Sequence, residues 1–274
     1  AGPSPVSTYG SLTVTWSGIG SPTSGDWIGL YQVGAPDSSY VAWKSTGGAA
    51  SGSTTFTAPG SHGLYEFRLF ANNSYTRLAT SGQVCVIAPG TFCDVPAAHW
   101  AYQFIDWLAS RGYVSGYGDG TFRPDSNVSR AEASKLVVKA LQFPVNTAGG
   151  PHFADVSQSH WAYSYIETLF NAGVVQGVDR GRYAPDLPLT RAQAAKMVVS
   201  AGVAVGRFTQ VQVDAAAGCQ DFSDMPPEHW ANPSTCYLKQ RGWVVGIGSN
   251  LYGSDQPMTR AALSKVVVLV AGGP

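Results

Sequence analysis

Three times along the chain a tryptophan stands six residues after an aspartate and thirty before an arginine: Asp94, Trp100 and Arg130; Asp155, Trp161 and Arg191; Asp224, Trp230 and Arg260. Those residue types at a fixed spacing suit saccharide recognition. An indole face is a platform for the C–H face of a sugar ring, and a guanidinium offers a forked donor set to a carboxylate such as a pyruvyl group. The same residues also have an architectural reading. A Trp at a helix start more often packs into a core than faces a ligand, and an Arg in a first helical turn can bond an Asp from the preceding segment. His99, His160 and His229, immediately before the tryptophans, read as turn or cap residues rather than catalysts.

The elements that must position these residues repeat as well. From Asp to Arg the three segments align without a gap, and their starts lie 61 and then 69 residues apart. Such internal self-similarity is the mark of a repeat architecture. Each copy reads as helix, loop, helix. In the first, Ala101, Phe104, Ile105 and Leu108 share one helical face, and Gly112 follows as a C-terminal glycine. The second helix of each copy opens at Ser129, Thr190 or Thr259, all N-cap types. Ser129 with Glu132 and Thr190 with Gln193 predict capping boxes, whereas Ala262 denies the third copy its reciprocal bond. Pro233 reads as a helix breaker in that copy. Two helices cannot bury their apolar faces alone, so three copies should share one core with pseudo-threefold symmetry.

The motifs F-x-D, HWA, G-x-x-x-G, GYGDGTFRPD and SRAEA resemble the S-layer homology domain, over about residues 90–272. Members of that family attach bacterial surface proteins to cell-wall polysaccharide. The resemblance implies a three-pronged spindle with sugar-binding grooves between prongs. It places groove positions on Asp94, Trp100, Arg130, Asp155, Trp161, Arg191, Asp224, Trp230 and Arg260, with backbone from the Gly-rich loops and Asp119 of the first loop. The loops depart from one another: GYGDG, then GVDRG, then GIGSN. SRAE, TRAQ and TRAA follow the same course, so fewer than three working grooves are expected.

Residues 1–89 have a different character. Alternation in Leu12-Thr-Val14-Thr-Trp16 and again from Leu64 to Leu69 has strand period, punctuated by Gly, Ser, Pro and Asn clusters. Strands are predicted near 11–17, 26–33, 40–45, 53–57, 63–71, 75–79 and 83–87, forming an immunoglobulin-like or fibronectin-III-like β-sandwich. Trp27 and Trp43 could line a carbohydrate platform there, although core packing is the commoner role. The fold class is thus multidomain, β plus α. An N-terminal β-sandwich (1–89) precedes a pseudo-threefold helical trimer of helix-loop-helix repeats at 90–148, 149–202 and 219–274, with a weakly patterned linker at 203–218.

Charge and cysteine usage bound the function. Lys plus Arg and Asp plus Glu are 17 each, which gives no case for nucleic acid as a partner. Only 12% of residues are charged, about half the usual share, so repulsion between copies is weak. No apolar run is long enough for membrane insertion. The opening Ala1-Gly2-Pro3 is read as a mature end left by removal of a secretory signal, and a chain trimmed at its start reads the same. Cys85, Cys93, Cys219 and Cys236 point to disulfides over zinc, with proximity favouring 85–93 and 219–236.

No phosphate loop, G-x-S-x-G elbow or metal-spaced His pair occurs, so no catalytic residue, metal or cofactor is assigned. The expected role is that of a non-enzymatic extracellular surface protein. It would assemble with copies of itself into a filament or lattice, be anchored to secondary cell-wall polysaccharide, or both. The alternative is a monomeric carbohydrate-binding wall anchor or accessory module. In the assembly reading, Ala1 to Tyr9 is an extended arm that could pair through Val6-Ser7-Thr8 with a neighbouring subunit's sheet edge.

Overall fold

A computed structural model describes residues 1–179 and 181–274. Arg180, in the GVDRG loop, lies outside the described residues. The chain divides into two compact units, Ala1–Tyr102 with Ser115–Arg123 and Gln103–Val114 with Pro124–Pro274.

The first unit is β-rich. Its strands are β1 (Val6–Ser7), β2 (Ser11–Trp16), β3 (Trp27–Gln32), β4 (Ala42–Ser45), β5 (Gly52–Thr57), β6 (Gly63–Ala71), β7 (Thr76–Thr80) and β8 (Val84–Ile87). One sheet runs β1-β8-β6-β3-β4, with β7 also paired to β6; β2 and β5 form a second, antiparallel pair. The period-2 alternation does what it should. Leu12 and Val14 of β2 and Phe56 of β5 join Ile28, Leu30, Phe67, Leu69, Val84 and Val86 of the larger sheet in one buried cluster. On the opposite face of β3 and β6, Trp27, Tyr31 and Phe70 make a separate aromatic cluster. Arg68 is buried beside it, its guanidinium 4.3 Å from the Tyr31 ring. Its charge is met by Asp37 and Glu66, both at 2.7 Å.

The N-terminal segment corrects the expectation of a free arm. Val6 and Ser7 pair in parallel with Val86 and Ile87 of the same chain. The Thr8 amide donates to the Ile87 carbonyl, Tyr9 to Ala58, and Gly2 exchanges both backbone bonds with Thr13. Val6 is buried in the shared core, so its groups are already spent within the protein. A two-residue strand leaves no periodicity to read. The Cys85–Cys93 disulfide joins β8 to the segment after it, across a Cα separation of 5.4 Å.

The second unit is helical: α1 (Tyr102–Ser110, whose first residue falls in the first unit), α2 (Arg130–Ala140), α3 (Tyr163–Asn171), α4 (Arg191–Ala204), α5 (Gln210–Asp214), α6 (Asn232–Gln240) and α7 (Arg260–Ala271). Helices α2, α4 and α7 touch one another pairwise, while α3 packs on α2 and α6 on α4. Their contact faces are aliphatic, with Val137 and Val138, Met197 and Val198, and Val267 and Val268 all buried.

The residues just before these three helices close a ring of backbone bonds. Val128 N–H donates to the Met258 carbonyl (2.9 Å), Met258 to Leu189 (2.8 Å) and Leu189 to Val128 (3.0 Å). Each bond satisfies an otherwise orphaned group in the core and locks one segment against the next.

Both capping boxes form, at Ser129 with Glu132 and at Thr190 with Gln193. Thr259 caps α7 from one side only, accepting from the Ala262 amide. Pro233 does not break α6. It lies in the first turn, where no intrahelical N–H is required. Residues 203–218 contain α5, with its own Thr209–Gln212 capping box. The Cys219–Cys236 disulfide, with Cα atoms 5.8 Å apart, fastens the segment after it to α6.

Candidate saccharide groove

In each copy the Asp is a staple of the loop. Asp94 accepts from the amides of Phe122 and Arg123 (2.7 and 2.6 Å), and Asp155 from those of Tyr183 and Ala184 (2.8 and 2.7 Å). Asp224 accepts from Tyr252, Gly253 and Ser254. Arg123, Ala184 and Gly253 all have left-handed φ, so the carboxylate holds a turn that the backbone alone resists. Burial pushes Asp155 and Asp224 upward, but the amides outweigh it and keep both below the ordinary carboxylate value of 3.8. The loop glycines complete the turn. A Cβ at Gly177 would sit 2.5 Å from the Arg182 carbonyl, and one at Gly246 would sit 2.4 Å from that of Leu251.

Asp119 is likewise occupied. It accepts from the Thr121 hydroxyl and amide and then from Arg123, which together bring its pKa down to about 2. These carboxylates shape the loops, and none of them lines the groove described below.

The tryptophans correct the expectation of core packing. Trp100, Trp161 and Trp230 are 56%, 52% and 52% exposed. Each sits in the turn ahead of its helix, where the preceding His ring accepts from the amide two residues on: His99 from Ala101, His160 from Ala162, and His229 from Ala231. Cap duty by the histidines thus holds the indoles outward. The Lys135 ammonium lies 5.9 Å from the Trp161 ring centre, and that of Lys196 lies 5.6 Å from Trp230.

The arginines reach into the following copy. Arg130 donates from Nε to the Tyr183 carbonyl at 2.7 Å and stacks over that ring, and Arg191 does the same at Tyr252 (2.8 Å). Their remaining partners differ with the residue at the third helical position. Arg260 donates from Nη1 to Glu132 Oε1 at 2.9 Å, an ion pair. Arg130 meets the neutral Gln193 amide oxygen at 3.4 Å. Arg191 donates instead to the Val245 carbonyl, since the third-position residue of the following copy is Ala262, which has no side-chain acceptor. Among the described residues, Arg130 is only 6% exposed and has no carboxylate within ion-pair distance, and burial lowers its pKa.

Arg130 opens into a recess of about 290 Å³. It is lined by Lys196, Gln193, Leu189, Met197, Trp230 and residues 173–178. The structure therefore brings together Arg130, Trp230 and, from the second copy's Gly-rich loop, Gly177 and Val178 of the sequence-predicted set. It adds Lys196 and Gln193, which sequence reasoning did not assign to a site. The signal was present: a Lys stands five residues after each Arg, at 135, 196 and 265. Two cations and one exposed indole suit a saccharide unit bearing a carboxylate.

Comparison with known proteins bears on the repeats. The S-layer homology domain model matches residues 91–134 and 152–195. The S-layer protein sap of Bacillus anthracis is 31% identical over 194 residues, 70% of this chain and 23% of the relative. S-layer protein EA1 of the same organism is 28% identical over 207 residues, 72% of this chain and 23% of the relative. A cellulosome-anchoring protein of Acetivibrio thermocellus is 29% identical over 145 residues, 52% of this chain and 30% of the relative. The chain thus spans about a quarter of the length of the S-layer proteins it matches. Two S-layer homology repeats, at 91–134 and 152–195, are carried within a chain similar over most of its length to S-layer proteins.

Proposed function

We propose that this is a non-enzymatic, extracellular cell-surface protein that grips an anionic wall polysaccharide in the groove of Arg130, Lys196 and Trp230. Residues 219–274 act as a third S-layer homology repeat, and 90–274 as a pseudo-threefold helical unit behind an N-terminal β-sandwich. The closed ring through Val128, Met258 and Leu189 supports that symmetry.

The observation that carries the binding reading is Arg130 itself. A guanidinium buried to 6% exposure without a carboxylate costs free energy, and a ligand carboxylate entering the groove would recover it. Lys196 lies beside it, and Trp230 supplies the stacking face. Arg260, already paired with Glu132, has less charge to offer a ligand. The test is co-sedimentation of the full chain with purified cell-wall sacculi, comparing the wild type with Lys196→Ala. Saturable binding that the substitution weakens at least roughly tenfold supports the reading. Equal binding by both, or none by either, would remove it.

The second reading, self-assembly into a filament or lattice, is favoured by the surface. Zero net charge and 12% charged residues leave little long-range repulsion, and Val145, Leu187, Val211 and Val245 are all exposed. Concentration-dependent growth in light scattering, with or without calcium, tests it. A strict monomer under both conditions leaves the monomeric wall anchor standing.

A further inference from the structure

We propose that the N-terminal unit carries its own binding site for a neutral saccharide, a recess floored by Trp27 and walled by Tyr40, Trp43 and Tyr75. This site is independent of the groove of Arg130 and of its reading.

The floor is built first. Trp27 on β3 is 9% exposed and stacks on its cross-strand neighbour Phe70, with ring centres 4.4 Å apart and planes inclined by 21°. Its indole Nε1 donates to the Ser74 carbonyl at 3.1 Å, so one ring joins the sheet to the turn before β7. Around this floor the other three rings stand nearly upright. Tyr40, Trp43 and Tyr75 make angles of 71°, 82° and 77° with Trp27, at centroid distances of 5.7, 6.4 and 5.8 Å. They are 41%, 54% and 53% exposed and enclose about 200 Å³. One exposed aromatic needs no explanation, but three converging on a single concavity do.

The wall is also braced from behind. Asp26, almost fully buried, accepts from the Thr23 amide and hydroxyl and from the Asn72 amide. The hydrogen bonds from Thr23 and then Asn72 hold its pKa below the ordinary carboxylate value. The Asn73 amide donates to the Gly25 carbonyl at 2.7 Å, and both Asn72 and Asn73 adopt left-handed φ. A buried carboxylate thus fixes the turn that presents Asn73, Ser74 and Tyr75. Support of this kind is what a preorganised site requires. Gly25 belongs to the same device, since a Cβ there would meet the Asn73 side chain at 2.8 Å.

The lining decides the ligand class. Among the described residues it has no charged group, and Asn73, whose side-chain amide makes no hydrogen bond to the protein, is part of it. Upright aromatic faces take the C–H faces of a sugar, and a free amide can both donate to and accept from ring hydroxyls. A carboxylated sugar would find no cation here. Aromatic rings also suit a quaternary ammonium, but the lining holds no carboxylate to pair with one, and choline is therefore a separate arm of the test. Three exposed rings gathered around one hollow are far fewer than the roughly 20–30 residues a side that a stable protein interface takes.

The experiment titrates the full chain with cellohexaose, maltohexaose and chitohexaose, read by tryptophan fluorescence and calorimetry, with choline chloride as a separate arm. The expected result is saturable binding of at least one hexaose, weakened roughly tenfold or more by Trp43→Ala and by Tyr75→Ala. Both side chains are exposed, so thermal melting should show the fold retained. Three outcomes would overturn the proposal: no hexaose binding up to millimolar concentration, hexaose binding indifferent to both aromatic substitutions, or binding of choline alone. A dimer abolished by Trp43→Ala, with no saccharide bound, would assign the recess to a second copy and overturn it as well.

Discussion

Gln193→Glu changes the charge of the groove while leaving its shape almost untouched. It puts a carboxylate oxygen where an amide oxygen now lies 3.4 Å from Arg130 Nη1. The capping box survives, because Glu at that position caps α2 in the same way. A unit pair at this range in partly buried surroundings attracts by about 5 kcal/mol at an effective dielectric of 20, before desolvation is subtracted. The net gain should be about 1 kcal/mol or slightly more, because the Arg130 charge is otherwise unpaired. Melting should therefore rise. Binding should move the other way, since the new carboxylate takes the place of the ligand's and leaves only Lys196 to attract it. A loss of about 1.5 kcal/mol, or roughly tenfold in affinity, follows. Sacculus co-sedimentation at low and high salt, alongside calorimetric melting, reads both quantities. A residue with only structural work would move stability alone. Unchanged or tighter wall binding by Gln193→Glu would refute the assignment of Arg130 to an anionic ligand.

Three further outcomes are expected. Arg260→Ala should leave wall binding within about twofold of the wild type, because Glu132 already engages that charge, and co-sedimentation checks it. Deleting residues 1–9 should destabilise the β-rich unit, since β1 and buried Val6 belong to its sheet; hydrogen exchange that left β8 protection unchanged would contradict this. Acid should weaken the helical unit. Asp155 and Asp224 have folded pKa values below 3.8, so their contribution is complete above that value and is lost as pH falls through the lowered ones. Asp155→Asn should abolish its part of that acid dependence in melting curves.

Much of this was legible in the sequence, for reasons that particular residues make plain. The unbroken spacing of Asp, Trp and Arg, the Ser129 and Thr190 caps and the alternation in β2 and β6 all report local geometry, and local geometry is what periodicity encodes. The disulfides followed from proximity. The indoles were harder. Trp230 at a helix start looks like core until the His229 cap is seen to turn it outward. Strand β1 was invisible because two residues carry no alternation, and its partner lies about eighty residues away in sequence. The distinction among the arginines could not be read from one copy. Whether Arg130 meets Gln193, or Arg260 meets Glu132, depends on which copy docks beside which, and that is fixed only by the ring of backbone bonds.

The most direct measurement of the central claim is calorimetric titration of the full chain with purified wall polysaccharide, before and after its carboxylate substituents are removed by mild acid. The groove of Arg130, Lys196 and Trp230 predicts binding to the intact polymer that weakens with salt, falls at least tenfold once the carboxylates are gone, and is lost in Trp230→Ala. Equal affinity for the two polymers, or full binding by Trp230→Ala, would contradict it.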